Sequence, residues 1–252
     1  MGTKQAEIDY PAKLNAAERR WLATKPFGSF NREESRRTFQ DFSTLLKLID
    51  RHQPLASNIL ELGCGPGWLS ILLSWMGFRV TGYDISPAMI KVAKNRATTL
   101  KLERVYFGVA DMETTHIKAE DGRHDVVIIY DALHHCSDEA AVINHCYHYL
   151  KPGGILLLAE PNRVHEHSQD AHVAVERFGV TERGFDVGTL RQQCRQAGFE
   201  RSWRYHASGQ SFEPRHEGLI DSLKMLIYPF LVRFYFGRTR TRIWFVAQKA
   251  AR

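Results

Sequence analysis

One stretch constrains this 252-residue chain more than any other: Ile59-Leu60-Glu61-Leu62-Gly63-Cys64-Gly65-Pro66-Gly67, an apolar run that ends in three glycines at alternate positions. A helical pattern follows at once, from Trp68 onward. Glycine tolerates positive φ and lets another molecule approach the backbone without a Cβ in the way. The helix behind such a turn aims its positive end at whatever sits there. A strand, a glycine turn and a helix wrapped around a ligand are therefore expected over residues 58–76. In a dinucleotide fingerprint a further glycine would stand at position 68, where this chain has Trp68, which disfavours a pyrophosphate-binding dehydrogenase.

Around that turn, short apolar runs alternate with amphipathic ones. Strands are expected at 58–62, 78–83, 104–109, 125–130 and 155–159, with two more near 200–207 and 242–248. Helices are expected at 67–76, 87–97, 138–150 and 187–197. Alternation of this kind means crossover connections and a parallel sheet. Ahead of it, residues 12–24 and 31–52 carry helical spacing, the second opened by a capping box from Asn31 to Glu34, with a break at Pro26 and Gly28 between them. The expected organisation is an N-terminal helical cap over 1–54 and an α/β domain over 55–252 with an insertion at 209–241. Within the insertion, apolar residues at three- and four-residue intervals over 218–236 read as a helix bent at Pro229.

Three further candidates fall at the carboxyl ends of expected strands, where open α/β sheets bind ligands. Asp84 comes 21 residues after Gly63 and can accept both hydroxyls of a ribose. Ser86 and Pro87 then read as the N-cap and first residue of a helix. Asp111 can accept from an adenine amino group, and Met112 can cover the ring. Each alone also reads as ordinary structure; their order makes the set informative.

The motifs ILELGCGPG (59–67), VTGYDIS (80–86), Asp111-Met112 and YLKPGGILLLAEP (149–161) resemble those of class I S-adenosylmethionine-dependent methyltransferases over roughly residues 55–200. The resemblance implies a Rossmann-like doubly wound sheet of seven strands with the last one antiparallel, and S-adenosyl-L-methionine as cofactor. It places Glu61 near the methionine amino group and Gly63, Cys64, Gly65 and Gly67 along the methionine portion. Asp84 would hold the ribose, Ile85 and Met112 would sandwich the adenine, Asp111 would fix its amino group, and Met89 and Tyr130 would complete the set. WLATKPFGSFN (21–31), YDALHH (130–135), EPNRVHEHS (160–168) and RFGVTERG (177–184) are further similar to a bacterial subgroup that accompanies cell-surface glycan synthesis. The Trp21-to-Gly28 segment reads either as a lid over the cofactor or as an anchor for the N-terminal helices.

Methyl transfer is an in-line displacement in which placement supplies much of the rate. A hydroxyl acceptor also needs a base, and histidine suits neutral pH. Two histidine clusters stand after strands four and five: His134 and His135 behind Asp131, and His165 and His167 behind Glu160. His135 and His167 are the preferred bases, with His134 behind them. The nearby Cys136, His145, Cys146 and His148 match no standard zinc spacing, so no metal is expected. Cys64 reads as a small buried side chain rather than a nucleophile.

No apolar leader stands at the N-terminus, no apolar run is long enough to span a bilayer, and the four cysteines form no paired framework, which suits a cytoplasmic protein. The net charge of +6 is uneven: residues 191–252 hold twelve Lys/Arg against four Asp/Glu. An anionic partner fits such an end. The apolar side of the insertion reads first as a cover packed on the sheet over the acceptor pocket; the other reading is that its arginines, with Arg242 beside them, meet phosphate on a lipid-linked glycan at an anionic membrane surface. The leading expectation is O-methylation of a small-molecule or glycan acceptor. The alternatives are an RNA methyltransferase, made less attractive by the lack of any RNA-binding module, and a non-catalytic S-adenosylmethionine-binding protein.

Overall fold

Alternate residues of the central strands carry aliphatic side chains on both sides, as a parallel sheet buried on two faces requires. A computed structural model of the chain describes residues 3–27, 32–205 and 242–251. Helices α1 (Lys4–Lys13), α2 (Ala16–Thr24) and α3 (Arg32–His52) precede the sheet. Then come β1 (Asn58–Leu62), α4 (Trp68–Trp75), β2 (Arg79–Asp84), α5 (Pro87–Thr99), β3 (Val105–Val109) and β4 (His124–Tyr130). They are followed by α6 (Glu139–Tyr149), β5 (Leu150–Pro161), α7 (Gln169–Phe178), α8 (Val187–Ala197), β6 (Arg201–Tyr205) and β7 (Arg242–Gln248).

The seven strands lie in the order β3-β2-β1-β4-β5-β7-β6, parallel except for β7, which runs antiparallel to both neighbours. This is the expected Rossmann-like doubly wound sheet. Ile59, Val126, Ile128, Ile155 and Leu157 point to one face, against Leu45, Ile49, Leu69 and Leu73 of α3 and α4. Their neighbours Leu60, Val127, Ile129, Leu156 and Leu158 point to the other, against Val142, Ile143 and Cys146 of α6 and Leu190 and Cys194 of α8. The order of connection reverses between β1 and β4, so the crevice that such sheets use for ligands opens beyond Leu62 and Tyr130.

The N-terminal region differs from expectation. The single helix expected at 12–24 is two helices, because Asn15 starts a new one: its side chain accepts from Glu18 N while Glu18 accepts from Asn15 N. Helix α1, capped by Thr3, gave no periodic signal because it buries only Ala6 and is held by polar contacts to the domain. Helix α7 was also unforeseen; Ser168 caps it and Gly179 ends it in a left-handed turn. The expected Asn31 capping box, Gly28 and the 209–241 insertion lie outside the described residues. No helix among the described residues is long and apolar enough to cross a membrane.

Candidate functional site

The glycine turn closes on the end of β2, where the amides of Gly63 and Cys64 both donate to the Tyr83 carbonyl, at 2.8 and 3.0 Å. Gly63 has φ of +73°, and a Cβ there would lie 2.4 Å from the Cβ of Ala132. The turn therefore packs directly on the segment that follows β4. At Gly65, with φ of +52°, a Cβ would meet nothing within 4 Å, so the space over the middle of the turn is open. An open cradle of backbone at a helix start is what an extended ligand needs, and the residues around it fit the cofactor. Cys64 is buried, and burial raises its thiol pKa well above the ordinary value, as suits a packing role.

Asp84, at the end of β2, accepts from the amides of Gly65 and Ser86, both at 2.8 Å. Burial raises its pKa although these two donors oppose the rise. Ser86 occupies the N-cap position of α5, but its hydroxyl does not cap the helix; it donates to the Ile8 carbonyl of α1 at 3.1 Å. Asp111 accepts from Lys4 Nζ at 2.6 Å, Thr114 Oγ1 at 2.7 Å and Glu113 N at 2.9 Å. Burial opposes its ionisation, yet these donors keep its pKa below the usual range. The Cε of Met112 lies 3.7 Å from the Cβ position of Gly63, which brings it to the turn. Ile85 is half-buried beside Asp84. Met89 is buried against Leu14, Leu22, Phe178 and Val180 under the N-terminal helices.

Glu61 is buried and accepts from Ser70 Oγ of α4; burial pushes its pKa up to about 8. Tyr130 sets its ring edge-on to Trp68, 5.4 Å between centroids, and donates its hydroxyl to Asp41 of α3 at 2.7 Å. Arg242 lies over that ring, 4.7 Å from its centroid, and reaches the carboxylates of Asp131 at 3.2 Å and Asp41 at 3.3 Å. It thus starts β7 turned into the domain and not out toward a phosphate surface. Asp131 has φ of +56°, a strained setting for a residue with a side chain. Burial works against its charge, but Arg242, then His134 and Lys25, hold its pKa far below the carboxylate range.

Beyond Ala132, a 3₁₀ turn (Leu133–His135) carries two histidines. Glu160, fully buried, accepts from the amides of Ala132 and Leu133 and from His134 Nδ1, the last at 2.8 Å. His134 Nε2 faces Glu182 at 3.5 Å, and Glu182 accepts from His165 Nε2 at 2.8 Å. His135 Nδ1 donates to the Thr181 carbonyl at 2.6 Å and lies 3.5 Å from Glu7 of α1. Because a carbonyl only accepts, Nδ1 carries a proton and Nε2 is the nitrogen left for acid–base work. Burial disfavours the charged ring, but Glu7, Glu182 and Thr181 outweigh it and raise the pKa to about 9.

The structure thus gathers His134, His135 and His165 around Glu182. His167 stands apart, 79% exposed at the end of its own 3₁₀ turn (His165–His167), with Glu166 its ion-pair contact at 3.4 Å. His134, His135 and Glu182 each offer a ligand atom within 4.8 Å of the others and so have the spacing to hold a metal ion. Glu7, Thr181 and Glu182 were not singled out from the sequence. Glu7 comes from α1, where no local pattern marks a site, and Thr181 and Glu182 lie inside the RFGVTERG motif, which carried a resemblance but no residue role.

The pattern of the methyltransferase domain family matches residues 56–200, more than half of the chain. The chain belongs to that family, and S-adenosylmethionine is its cofactor. It is 33% identical over 160 residues to a ubiquinone biosynthesis O-methyltransferase of Pseudomonas aeruginosa, a match that covers 60% of this chain and 62% of that protein. The chain thus spans about three fifths of the length of that relative. In fold it resembles a Haemonchus contortus phosphoethanolamine N-methyltransferase bound to S-adenosylhomocysteine, with a TM-score of 0.60, 20% identity and coverage of 82% of this chain and 53% of the other. It also resembles an S-adenosylmethionine-dependent methyltransferase from Mesorhizobium loti, with a TM-score of 0.60, 16% identity and coverage of 83% and 98%.

Proposed function

We propose that this protein transfers the methyl group of S-adenosylmethionine to a hydroxyl of a small-molecule or glycan acceptor, with His135 as the base. The observation that supports this best is the packing of Ala132 on Gly63, which sets the histidine-bearing turn directly beside the cofactor cradle. When bound, the cofactor supplies an electrophilic methyl group. In this reading Gly63, Cys64, Gly65 and Gly67 line the methionine part and Glu61 meets its ammonium group. Asp84 takes the ribose hydroxyls, Asp111 the adenine amino group, and Ile85 and Met112 the ring faces. Tyr130 completes the cofactor set. Glu160 fixes the backbone and ring of the 3₁₀ turn, and His135 Nε2 takes the proton. The similarity to ubiquinone biosynthesis O-methyltransferases supports oxygen as the methylated atom. The basic C-terminal quarter supports an acceptor that carries negative charge, such as a phosphate-bearing, lipid-linked glycan.

Incubating the purified protein with methyl-labelled cofactor and a cell extract, then separating lipid, polysaccharide, small-molecule, RNA and protein fractions, tests this. Label is expected in one of the first three. Label in RNA would replace the acceptor class, and label in none would favour a protein that only binds the cofactor.

A further inference from the structure

Lys25 follows α2, far in sequence from the glycine turn, yet it is tied to it. Arg96 of α5 donates to the Lys25 carbonyl at 2.5 Å and to the Pro66 carbonyl at 3.0 Å, so one guanidinium joins the two backbones. The Lys25 ammonium lies 5.0 Å from the ring centroid of Trp21 and 5.4 Å from that of Trp68, the first residue of α4. Two aromatic faces hold the cation in place. Among the described residues it has no carboxylate at ion-pair distance. Burial lowers its pKa, the mark of a charge withdrawn from water without full compensation. At longer range Asp131, Glu34 and Asp41 favour its charge and Arg242 opposes it, and its own charge in turn favours ionisation of the buried Glu61.

A cation and a carboxyl at the same end of an open cradle match an amino-acid zwitterion, which presents one group of each sign. We propose that Lys25 binds the carboxylate of the cofactor's methionine tail. The inference rests on the cofactor-site reading above and adds the one ligand group that reading leaves without a partner. The charges then pair in opposite senses, ammonium to Glu61 and carboxylate to Lys25, and the turn between them supplies the backbone wall. The aromatic rings keep the lysine extended before the ligand arrives, so little side-chain entropy is lost on binding.

The test compares two ligands by calorimetry. S-adenosylhomocysteine carries the zwitterion; 5′-methylthioadenosine has the same nucleoside and lacks it. Lys25→Met keeps the apolar stem packed on the two tryptophans. It should weaken S-adenosylhomocysteine by about 10- to 100-fold, the effect of losing a charged hydrogen-bond partner, and leave methylthioadenosine within about twofold. Lys25→Arg should recover most of the loss. Equal losses for both ligands, or none for either, would overturn the proposal. Asp84→Ala is the companion variant, since it should weaken both ligands alike; if it weakens neither, the cofactor-site reading itself fails.

Discussion

Glu7 of α1 lies 3.5 Å from His135 Nδ1, so a helix outside the methyltransferase pattern favours the charged form of the ring proposed as the base. With Glu7 in place the ring's pKa is about 9, raised above its ordinary 6.5 against the opposing effect of burial. The folded protein therefore gains stability from this pair below about pH 6.5 and loses it as pH rises through about 9. Glu7→Gln should lower the pKa of His135, seen by NMR titration, and move the acid limb of the pH–rate profile to lower pH. An unmoved His135 titration in that variant would mean that Glu182 and the Thr181 carbonyl alone set it.

The two histidines that the sequence put forward equally are separated by the structure. His135→Ala should reduce kcat by about 10²–10⁴ with cofactor affinity nearly unchanged, the usual range for a general base. His167→Ala, at a side chain 79% exposed, should leave turnover within about twofold, because exposed substitutions away from a site rarely disturb it. Steady-state kinetics on both variants decides the assignment, and the reverse ranking would return His167 to the site.

What the sequence disclosed follows the range of its signals. The α/β alternation, the glycine turn, Asp84 and Asp111 were readable because period and spacing act locally, and each falls at a strand end where the sheet topology places a ligand. The placing of the histidines turns on geometry too fine for a pattern. A 3₁₀ turn three residues long decides that His165 reaches Glu182 while His167 faces water. Helix α1 was missed because its ties, Lys4 to Asp111 and Glu7 to Thr181, join residues 107 and 174 positions apart. Met89, expected at the cofactor, packs under helices that carry no motif of their own.

Glu61 makes a prediction about protons. Its pKa of about 8 means that the carboxyl is mostly neutral at pH 7 in the free protein, as burial dictates. An ammonium group brought against it favours the ionised form, so binding of S-adenosylhomocysteine should release a proton and tighten as pH rises from 6 toward 8. Calorimetry in buffers of different ionisation enthalpy would show this as a buffer-dependent binding heat. Glu61→Gln should abolish that dependence. A buffer-independent heat in the native protein would remove the ammonium from Glu61.

Two glycines of the turn should respond differently to the same methyl group. At Gly63 the added Cβ would stand 2.4 Å from the Ala132 Cβ, closer than two carbon atoms approach, and φ is +73°. Gly63→Ala should therefore cost about 2–4 kcal/mol of folding stability from overpacking and backbone strain together. Ala132→Gly in the same chain removes the atom that is struck and should restore the overpacking part while the strain remains. At Gly65 the same substitution meets open space, so only the left-handed backbone opposes it, about 1–2 kcal/mol. Its methyl would project into the cradle, and the larger effect of Gly65→Ala should be on cofactor affinity. Thermal unfolding and cofactor titration on the three variants separate these outcomes. Equal stability losses at Gly63 and Gly65, with Ala132→Gly giving no relief, would show that the turn is not packed on the histidine-bearing segment, and the link between cradle and base would fall with it.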